Sequence, residues 1–560
     1  MPQKSKRRSA QRIASAVLCA LFLCCALAPA CRAESPVAAL RAALNNYLSC
    51  FRLELVALEK QQPAIRSRNF CLTEIYDKKN PQPFWVSSGG PGERARVILD
   101  FLKRAEAEGL DPRNYEVNQI AALFAERKPV ALAKLDTLLT YNLIKYIHDV
   151  RSGPIKPRYV DPGLFPEAGD INFKPRENLE HAINAVDLAA YLESLPPAHG
   201  HYIGLKKALM MYRAIEQAGG WPLISAGPKI EPGTYDVRIP DIVRRLSATG
   251  DMDPMMVRGP LPVHCGPSLE KAIARFQRRH GLDPDSIIGK KTLAAMNIPV
   301  AEKIKQIIIN MTRWRWQERD LGEKYILVNI AHFDLIAIDA QQHIFNCAVI
   351  VGKFKQQTPV FSNRISYIDI NPYWNVPPSI ARNEDLPKLR KDSGSLEKRH
   401  IRLFSDWTRD AVEIDPKAVD WHAVSPARMG QYHLRQDPGP WNALGQIKFV
   451  FPNKYKVYLH DTPTQKLFAR SQRNFSHGCI RVSEPEKLAA VVLSGQDGGT
   501  WTVEKVKSSI ETNERLIIRL AQPLPIHITY QTAWIDKNGI VCFNYDVYGR
   551  DKKLLRAFRE

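Results

Sequence analysis

The sequence lacks any pair of cysteines separated by two residues, and cysteines are few for a chain of 560 residues. Paired CxxC elements mark zinc ribbons, and closely spaced cysteines mark disulfide-stapled scaffolds, so both classes are excluded. Four of the ten cysteines precede residue 33. The remaining six are Cys50, Cys71, Cys265, Cys347, Cys479 and Cys542. Cys50 and Cys71 are near enough in sequence to form a disulfide, but their spacing does not decide whether they do.

Long apolar runs are absent after residue 33, so no later segment is predicted to span a bilayer. Residues 1–33 contain no acidic residue; a basic start is followed by an apolar run over 13–30 and by small residues up to Ala33. This order predicts a cleaved secretory signal. An uncleaved anchor and a lipid-modified Cys31 stay open as alternatives. The protein is predicted to be exported, to the periplasm or the cell envelope.

Acidic residues are too few to balance the basic ones, and the net charge is +21. The signal holds six basic residues, so its removal leaves 21 − 6 = +15. A surplus of this size favours polyanionic partners. For an exported protein we expect anionic envelope polymers or lipid head groups rather than nucleic acid. A generally basic surface that keeps the protein soluble is the alternative.

At about 150 residues per domain, the length predicts three or four domains. Residues 34–255 show helical periodicity interrupted by Pro/Gly clusters, with no catalytic constellation, and predict a helical scaffold. Residues 256–300 predict a small three-helix module, followed by a linker helix over 301–323. From residue 324 to 510 short β-rich runs predict a β-rich domain, and residues 511–560 a closing β-hairpin segment. The fold class expected is multidomain α+β.

Residues 380–435 interrupt the β-rich domain with charged, irregular sequence. An insertion of this length is usually functional, such as a lid, or else disordered. Its aromatic residues, Trp407, Trp421 and Tyr432, indicate that the insertion packs against another surface. We therefore interpret it as a lid.

The chemistry is concentrated between Tyr458 and Val482. A strand ends near His460, and a loop returns nineteen residues later with Cys479. A cysteine nucleophile needs a base within hydrogen-bond reach. Gly478 lets the backbone approach a substrate carbonyl, and Arg481 offers a planar fork for a carboxylate. The alternatives are a buried structural cysteine and a His/Cys zinc site, for which no fourth ligand stands out.

The residues Ser476-His477-Gly478-Cys479-Ile480-Arg481, preceded by His460, resemble the signature of the L,D-transpeptidase catalytic domain. Residues 351–361 and 374–380 also match that family. Residues 261–300 resemble the peptidoglycan-binding domain, through Phe276-Gln277, His280-Gly281-Leu282, Ile288-Gly289 and Thr292-Leu293. A helical spacer without a ligand is the alternative for this module. The large helical region and Thr532-Ala533-Trp534 resemble the long, multidomain branch of the family.

The resemblance implies a role for each matching residue. Cys479 would be the nucleophile and His460 its base, oriented by the backbone carbonyl of Asp461, where many relatives have Gly or Ser. Gly478 and the backbone around Tyr458 and Cys479 would line the oxyanion site. The residues expected to support the loop or contact substrate are His477, Arg481, Tyr458 and Trp374.

The resemblance also implies a reaction. A tetrapeptide stem would be attacked at its third residue, a diamino acid, with loss of D-Ala, and the thioester would pass to a second stem as a 3→3 cross-link. Carbapenems are expected to acylate the cysteine, and neither a cofactor nor a metal is expected. Water or a protein lysine stays open as the acceptor, and a non-catalytic wall-binding scaffold is the alternative class. Neither the oligomeric state nor partner proteins can be predicted.

Overall fold

The computed structural model describes residues 35–59, 72, 75, 76, 81–161, 173–496 and 500–558. The predicted signal and Cys71 lie outside the described residues. Among those described, no helix is both long and apolar enough to cross a membrane. Two compact units are present: residues up to Leu99 together with Asn118–Tyr141, and Asp100–Val117 together with all residues from Asn142 onward.

The N-terminal region is helical, as its periodicity predicts. Its helices are α1 (Pro36–Glu59), α2 (Glu93–Lys103), α3 (Val117–Leu123), α4 (Pro129–Ser152), α5 (Pro175–Asn184), α6 (Leu188–Glu193) and α7 (Gly200–Gln217), and its two short strands are β1 (Val86–Ser87) and β2 (Gly90–Pro91). The first unit is organised around the buried carboxyl group of Asp136. That group accepts hydrogen bonds from the Tyr76 hydroxyl (2.6 Å) and the Trp85 amide (2.7 Å). Burial raises the pKa of Asp136 to about 6.

The small helical module contains α8 (Ile239–Ala248), α9 (Pro267–Arg279) and α10 (Lys290–Met296). These helices share one core, in which Ile242 and Leu246 of α8 pack with Ile273 and Phe276 of α9. Helix α8 precedes the predicted start of the module at residue 256 and packs in the same core. Tertiary packing, which periodicity within 261–300 does not report, assigns α8 to this core.

Helix α11 (Val300–Arg315) is the predicted linker helix, and it is a core element. Ile307, Met311 and Trp314 are buried in a cluster that includes residues of α7, of the large β-sheet and of the C-terminal hairpin. The helix therefore packs along its length instead of bridging two separate bodies.

A nine-stranded sheet dominates the second unit. The strands of this region are β3 (Lys324–Asn329), β4 (Asp334–Asp339), β5 (Gln342–Gly352), β6 (Phe361–Ile370), β7 (Trp374–Asn375), β8 (Ile401–Phe404), β9 (Glu413–Ile414), β10 (His433–Gln436), β11 (Ile447–Val450), β12 (Leu459–His460), β13 (Asn474–Ser476), β14 (Ile480–Val482) and β15 (Leu516–Thr529). The large sheet has the order β13-β5-β14-β12-β11-β6-β15-β3-β4, and β4 also pairs with β5, so the sheet closes on itself. The α+β class is confirmed.

Strand β15 pairs with β6 and β3 inside this sheet. The predicted division at residue 510 therefore cuts through one sheet. Helices α12 (Pro485–Leu493) and α13 (Val503–Glu511) precede β15, and the chain ends with strands β16 (Ala533–Ile535) and β17 (Val541–Phe543), which pair as a hairpin, and helix α14 (Arg550–Ala557). The sequence predicted a closing hairpin segment here, because it does not show which strands β15 pairs with.

The insertion has its own sheet, of order β7-β10-β8-β9, and its own apolar core. Trp421, Leu403 and Leu434 are buried in that core. The interpretation of residues 380–435 as irregular is therefore wrong, since the chain folds there into a small subdomain that begins at Trp374. The high charge density lies on its surface in pairs such as Arg402 with Glu413.

Candidate active site

The turn before Cys479 is fixed by its own hydrogen bonds. Ser476 Oγ donates to the carbonyl of Cys479 (2.5 Å) and accepts from the N–H of Gly478 (3.1 Å). Thr358 Oγ1 donates to the carbonyl of Gly478 (2.8 Å). Gly478 has a φ of +117°, a conformation that disfavours any residue with a side chain. The motif thus holds Cys479 at the end of a rigid turn, immediately before β14.

The strand that carries His460 lies directly beside β14. Strands β12 and β14 are parallel, with Leu459 opposite Ile480 and His460 opposite Arg481. Leu459 and Ile480 are fully buried in the core. Because side chains alternate between the faces of a strand, His460, Arg481 and Cys479 share the opposite face. The sheet register therefore brings the predicted nucleophile and the predicted base to one surface.

His460 is held as a neutral imidazole. The residue is 5% exposed, and Nδ1 of its ring lies 2.5 Å from the carbonyl oxygen of Asp461. A carbonyl only accepts hydrogen bonds, so Nδ1 carries the proton and Nε2 is the nitrogen able to take another. Burial, together with the nearby charge of Arg481, lowers the pKa of His460 to about 3.

The Cys479 thiol is partly buried. Sγ lies 3.7 Å from the carbonyl of Lys456, to which it donates. Burial raises the pKa of the thiol, while hydrogen bonds from Tyr458 and the charges of Lys448 and Arg481 oppose that rise. Among the described residues, no hydrogen bond joins the His460 ring to Cys479. The resting pair is therefore a thiol and a neutral imidazole, an arrangement that often tightens only when substrate binds.

Lys448 belongs to the site although the motif analysis did not select it. It lies on β11, directly opposite His460. Its Nζ is 4.1 Å from the centre of the Tyr458 ring, which in turn packs edge-on against the His460 ring at 5.6 Å. The one sequence signal that could have revealed it is a lysine inside the otherwise apolar strand Ile447–Val450.

Asp461 contributes more than its backbone. Its carboxyl group accepts hydrogen bonds from the N–H of Gln446 (2.9 Å) and of Thr462 (2.6 Å). Gly445 has a φ of +60°, and a Cβ at that position would lie 2.1 Å from the Asp461 carboxyl oxygen. The side chain therefore ties the loop before β11 to the segment after His460, and burial raises its pKa to about 6.

Two of the expected substrate contacts lie on or against the insertion. His477 Nε2 is 2.6 Å from Glu384 Oε1, so the motif loop contacts the subdomain. Trp374 lies on β7 opposite Gln436 and packs against the insertion core. No contact described in the structure joins Trp374 to Cys479. Arg481 lies beside the nucleophile, and its Nε is buried without a hydrogen-bond partner in the described part of the chain.

Within the described residues, no group of three or more His, Cys, Asp or Glu side chains is arranged to hold a metal ion.

The backbone N–H groups on either side of Cys479 are engaged. The N–H of Gly478 donates to Ser476 Oγ, and that of Ile480 donates to the carbonyl of Tyr458 (3.1 Å). The site is thus a thiol, an imidazole and two cations on one face of a sheet.

Comparison with known proteins assigns this region to a family. A model of the L,D-transpeptidase catalytic domain matches residues 323–506, one of the peptidoglycan binding domain matches 258–296, and one of a scaffold domain matches 71–209. Residues 323–506 therefore match the L,D-transpeptidase catalytic domain, as the motif indicated.

A curated protein of Haemophilus influenzae, whose name marks it as a provisional L,D-transpeptidase, is 31% identical over 229 residues. That match covers 41% of this chain and 45% of the relative, so the chain spans less than half of the relative's length. Two solved L,D-transpeptidases are also similar. The one from Xylanimonas cellulosilytica is 12% identical and covers 54% of this chain and 98% of its own, with a TM-score of 0.17. The one from Stackebrandtia nassauensis is 13% identical and covers 55% and 96%, with a TM-score of 0.21. With scores this low, the two structures add nothing to the assignment.

Proposed function

We propose that the protein is a peptidoglycan L,D-transpeptidase that acts outside the cytoplasm and forms 3→3 cross-links through a thioester on Cys479. One observation carries the proposal: Cys479 and His460 share one face of a parallel strand pair, with the imidazole neutral and its Nδ1 bonded to Asp461. That arrangement supplies a thiol with a base whose accepting nitrogen is Nε2. The family assignment of residues 323–506 and the adjoining peptidoglycan binding domain supply the substrate class.

In the first half-reaction, His460 Nε2 takes the thiol proton as Sγ attacks the carbonyl carbon of the third residue of a tetrapeptide stem. The negative charge that develops on the carbonyl oxygen is stabilised by the N–H of Cys479, which has no hydrogen-bond partner among the described residues. The N–H groups of Gly478 and Ile480 are already engaged. The imidazolium then gives its proton to the amine of D-Ala as the C–N bond breaks. The products are free D-Ala and a thioester.

In the second half-reaction, the side-chain amine of the diamino acid in another stem attacks the thioester. His460 accepts the amine proton, the C–S bond breaks and the proton returns to sulfur. The acyl bond energy is kept in the thioester, so no nucleotide is consumed outside the cytoplasm. Lys448 and Arg481 favour the charged sulfur in both steps, because each places positive charge near Sγ.

The insertion is proposed to act as a lid over this site. Its contact with the motif loop, Glu384 with His477 at 2.6 Å, supports this role. Its packed core gives the cover a defined shape, which a disordered loop would not have. A cover that excludes water while the acyl-enzyme waits for an amine would favour transfer over hydrolysis.

Purified disaccharide-tetrapeptide incubated with the protein tests the proposal. Mass spectrometry should detect 3→3 cross-linked dimers and free D-Ala; trimmed monomers alone would indicate water as the acceptor, and modified protein lysines would indicate anchoring. Cys479→Ala should give none of these products and no covalent carbapenem adduct, while Cys50→Ala, which changes an exposed cysteine, should keep them. Products or an adduct from Cys479→Ala, or no product from the folded parent protein, would overturn the proposal.

A further inference from the structure

Lys448 occupies the middle of a polar row that crosses the catalytic sheet. It is opposite His460 on one side and opposite Asp369 on the other. Its Nζ lies 4.1 Å from the centre of the Tyr458 ring, and its charge acts on the Cys479 thiol. Since paired residues share a face, Lys448 projects to the surface that carries the chemistry.

Within the part of the chain that the structure describes, this ammonium group has no anionic partner of its own. Asp369, the nearest acidic neighbour in register, is bound by Arg515 through two hydrogen bonds of 2.9 and 2.8 Å. Among the residues that the structure describes, Lys448 has neither a hydrogen bond nor an ion pair. Burial lowers its pKa, which shows that the charge is partly withdrawn from water. A cation in this state costs free energy, and an anionic group of a substrate would recover it.

The position of the base identifies which anion is placed there. His460 must reach the amine of the departing residue in order to protonate it, and the carboxylate of that residue is two bonds from the amine. Lys448 is adjacent to His460 and lies across β12 from the strand that carries Cys479. Arg481 lies on the strand that follows Cys479, and the acyl part of the donor becomes bonded to Sγ on that side. The leaving residue therefore falls on the Lys448 side.

We propose that Lys448 binds the C-terminal carboxylate of the donor peptide's leaving residue and thereby selects donors that end in a free acid. This inference rests on the proposed function and adds a specificity-determining residue to it. The same cation can contact the carboxylate in the Michaelis complex and while the amine departs, so its loss affects both binding and acylation of acid donors.

The test compares two donors, a tetrapeptide stem with a free C-terminal carboxylate and the same peptide with a C-terminal amide, as kcat/KM for formation of the acyl-enzyme. The parent protein should prefer the acid by about tenfold or more, the range expected for a hydrogen bond to a charged group. Lys448→Met should lose that preference: both rates fall because a positive charge near Sγ is lost, and the rate with the acid falls by a further tenfold. Lys448→Arg should retain most of it, and Lys507→Met, which changes an exposed lysine on α13, should match the parent.

A fall of equal size on both donors in Lys448→Met would overturn the proposal, because the lysine would then act on the Cys479 thiolate alone and not on the carboxylate of the substrate. An unchanged preference in Lys448→Met would overturn it as well. Failure of the proposed function has a different signature: the parent protein itself would form no acyl-enzyme with either donor. Thermal unfolding of each variant confirms that the comparison is between folded proteins.

Discussion

The two faces of the catalytic sheet differ completely across the same strands. One face has an apolar row, in which every member is buried: Ile480, Leu459, Phe449, Ile368 and Ile518. The adjacent residue on four of these strands lies on the other face, and these four residues form a polar row: Arg481, His460, Lys448 and Asp369. The apolar row fixes the register, and the register fixes which polar groups meet. On each of these strands, one residue therefore contributes to the packed core and its neighbour contributes to the site.

The comparison predicts that changes in the polar row affect rate, and changes in the apolar row affect stability. His460→Gln should lower the rate of Cys479 acylation by about 10²–10⁴-fold, the contribution of a positioned general base. The free energy of unfolding of the variant should not fall. The glutamine side chain fills a similar volume, and it has no titratable group that burial must keep neutral. The rate follows from intact-mass kinetics with a carbapenem or a stem peptide. An unchanged rate would remove His460 from the mechanism.

Leu459→Ala changes the neighbouring residue on the opposite face. We expect it to lower the free energy of unfolding by about 2–5 kcal/mol, since it removes a fully buried side chain from a packed core. Urea unfolding measures the loss. The acylation rate per folded molecule should stay within a few-fold of the parent. If instead the rate fell as far as in His460→Gln with stability intact, the division of labour between the faces would be wrong.

The pH dependence of the free energy of unfolding should differ between variants of His460 and of Leu459. The pKa of His460 is lowered to about 3, so between about pH 6.5 and that value the unfolded chain binds a proton that the folded chain does not. The free energy of unfolding should therefore decrease as the pH falls through this window, by up to about 1.4 kcal/mol per pH unit from this one group. His201 and His332, whose pKa values are lowered to about 4, act in the same direction.

The measurement is the difference between the parent and His460→Gln from pH 7 to pH 4. The variant should gain relative stability on acidification, because His201 and His332 contribute equally to both proteins. Leu459→Ala should run parallel to the parent with a constant offset. A constant difference between the parent and His460→Gln would mean that the imidazole protonates normally in the folded state.

Sequence alone predicted the parts of this site that are local. The motif from Ser476 to Arg481 contains the hydrogen bonds of its own turn, so the sequence indicated which residues surround Cys479. Lys448, the carboxyl group of Asp461 and the place of β15 were not predicted, because each depends on which strands become neighbours. The same reason applies to helix α8, which joins the core of the small module although it precedes the motif in sequence. It also applies to the insertion, whose core is built from widely separated residues such as Val376 and Leu434.

The smallest expected effect concerns the contact between the insertion and the motif loop. Glu384 and His477 are both partly exposed, so their pairing is screened by water and should contribute less than about 1 kcal/mol to stability. Glu384→Gln should leave the melting temperature nearly unchanged. It should raise the fraction of thioester lost to water by about twofold, which corresponds to a free-energy change of less than about 1 kcal/mol.

Glu397→Gln is the matched control, because it breaks another exposed ion pair of the insertion, with Lys417 at 2.8 Å, away from the motif loop. The ratio of trimmed monomer to cross-linked dimer measures the effect. If both variants shift this ratio equally, or neither does, the contact at His477 has no part in controlling access, and the insertion would have to act by another surface.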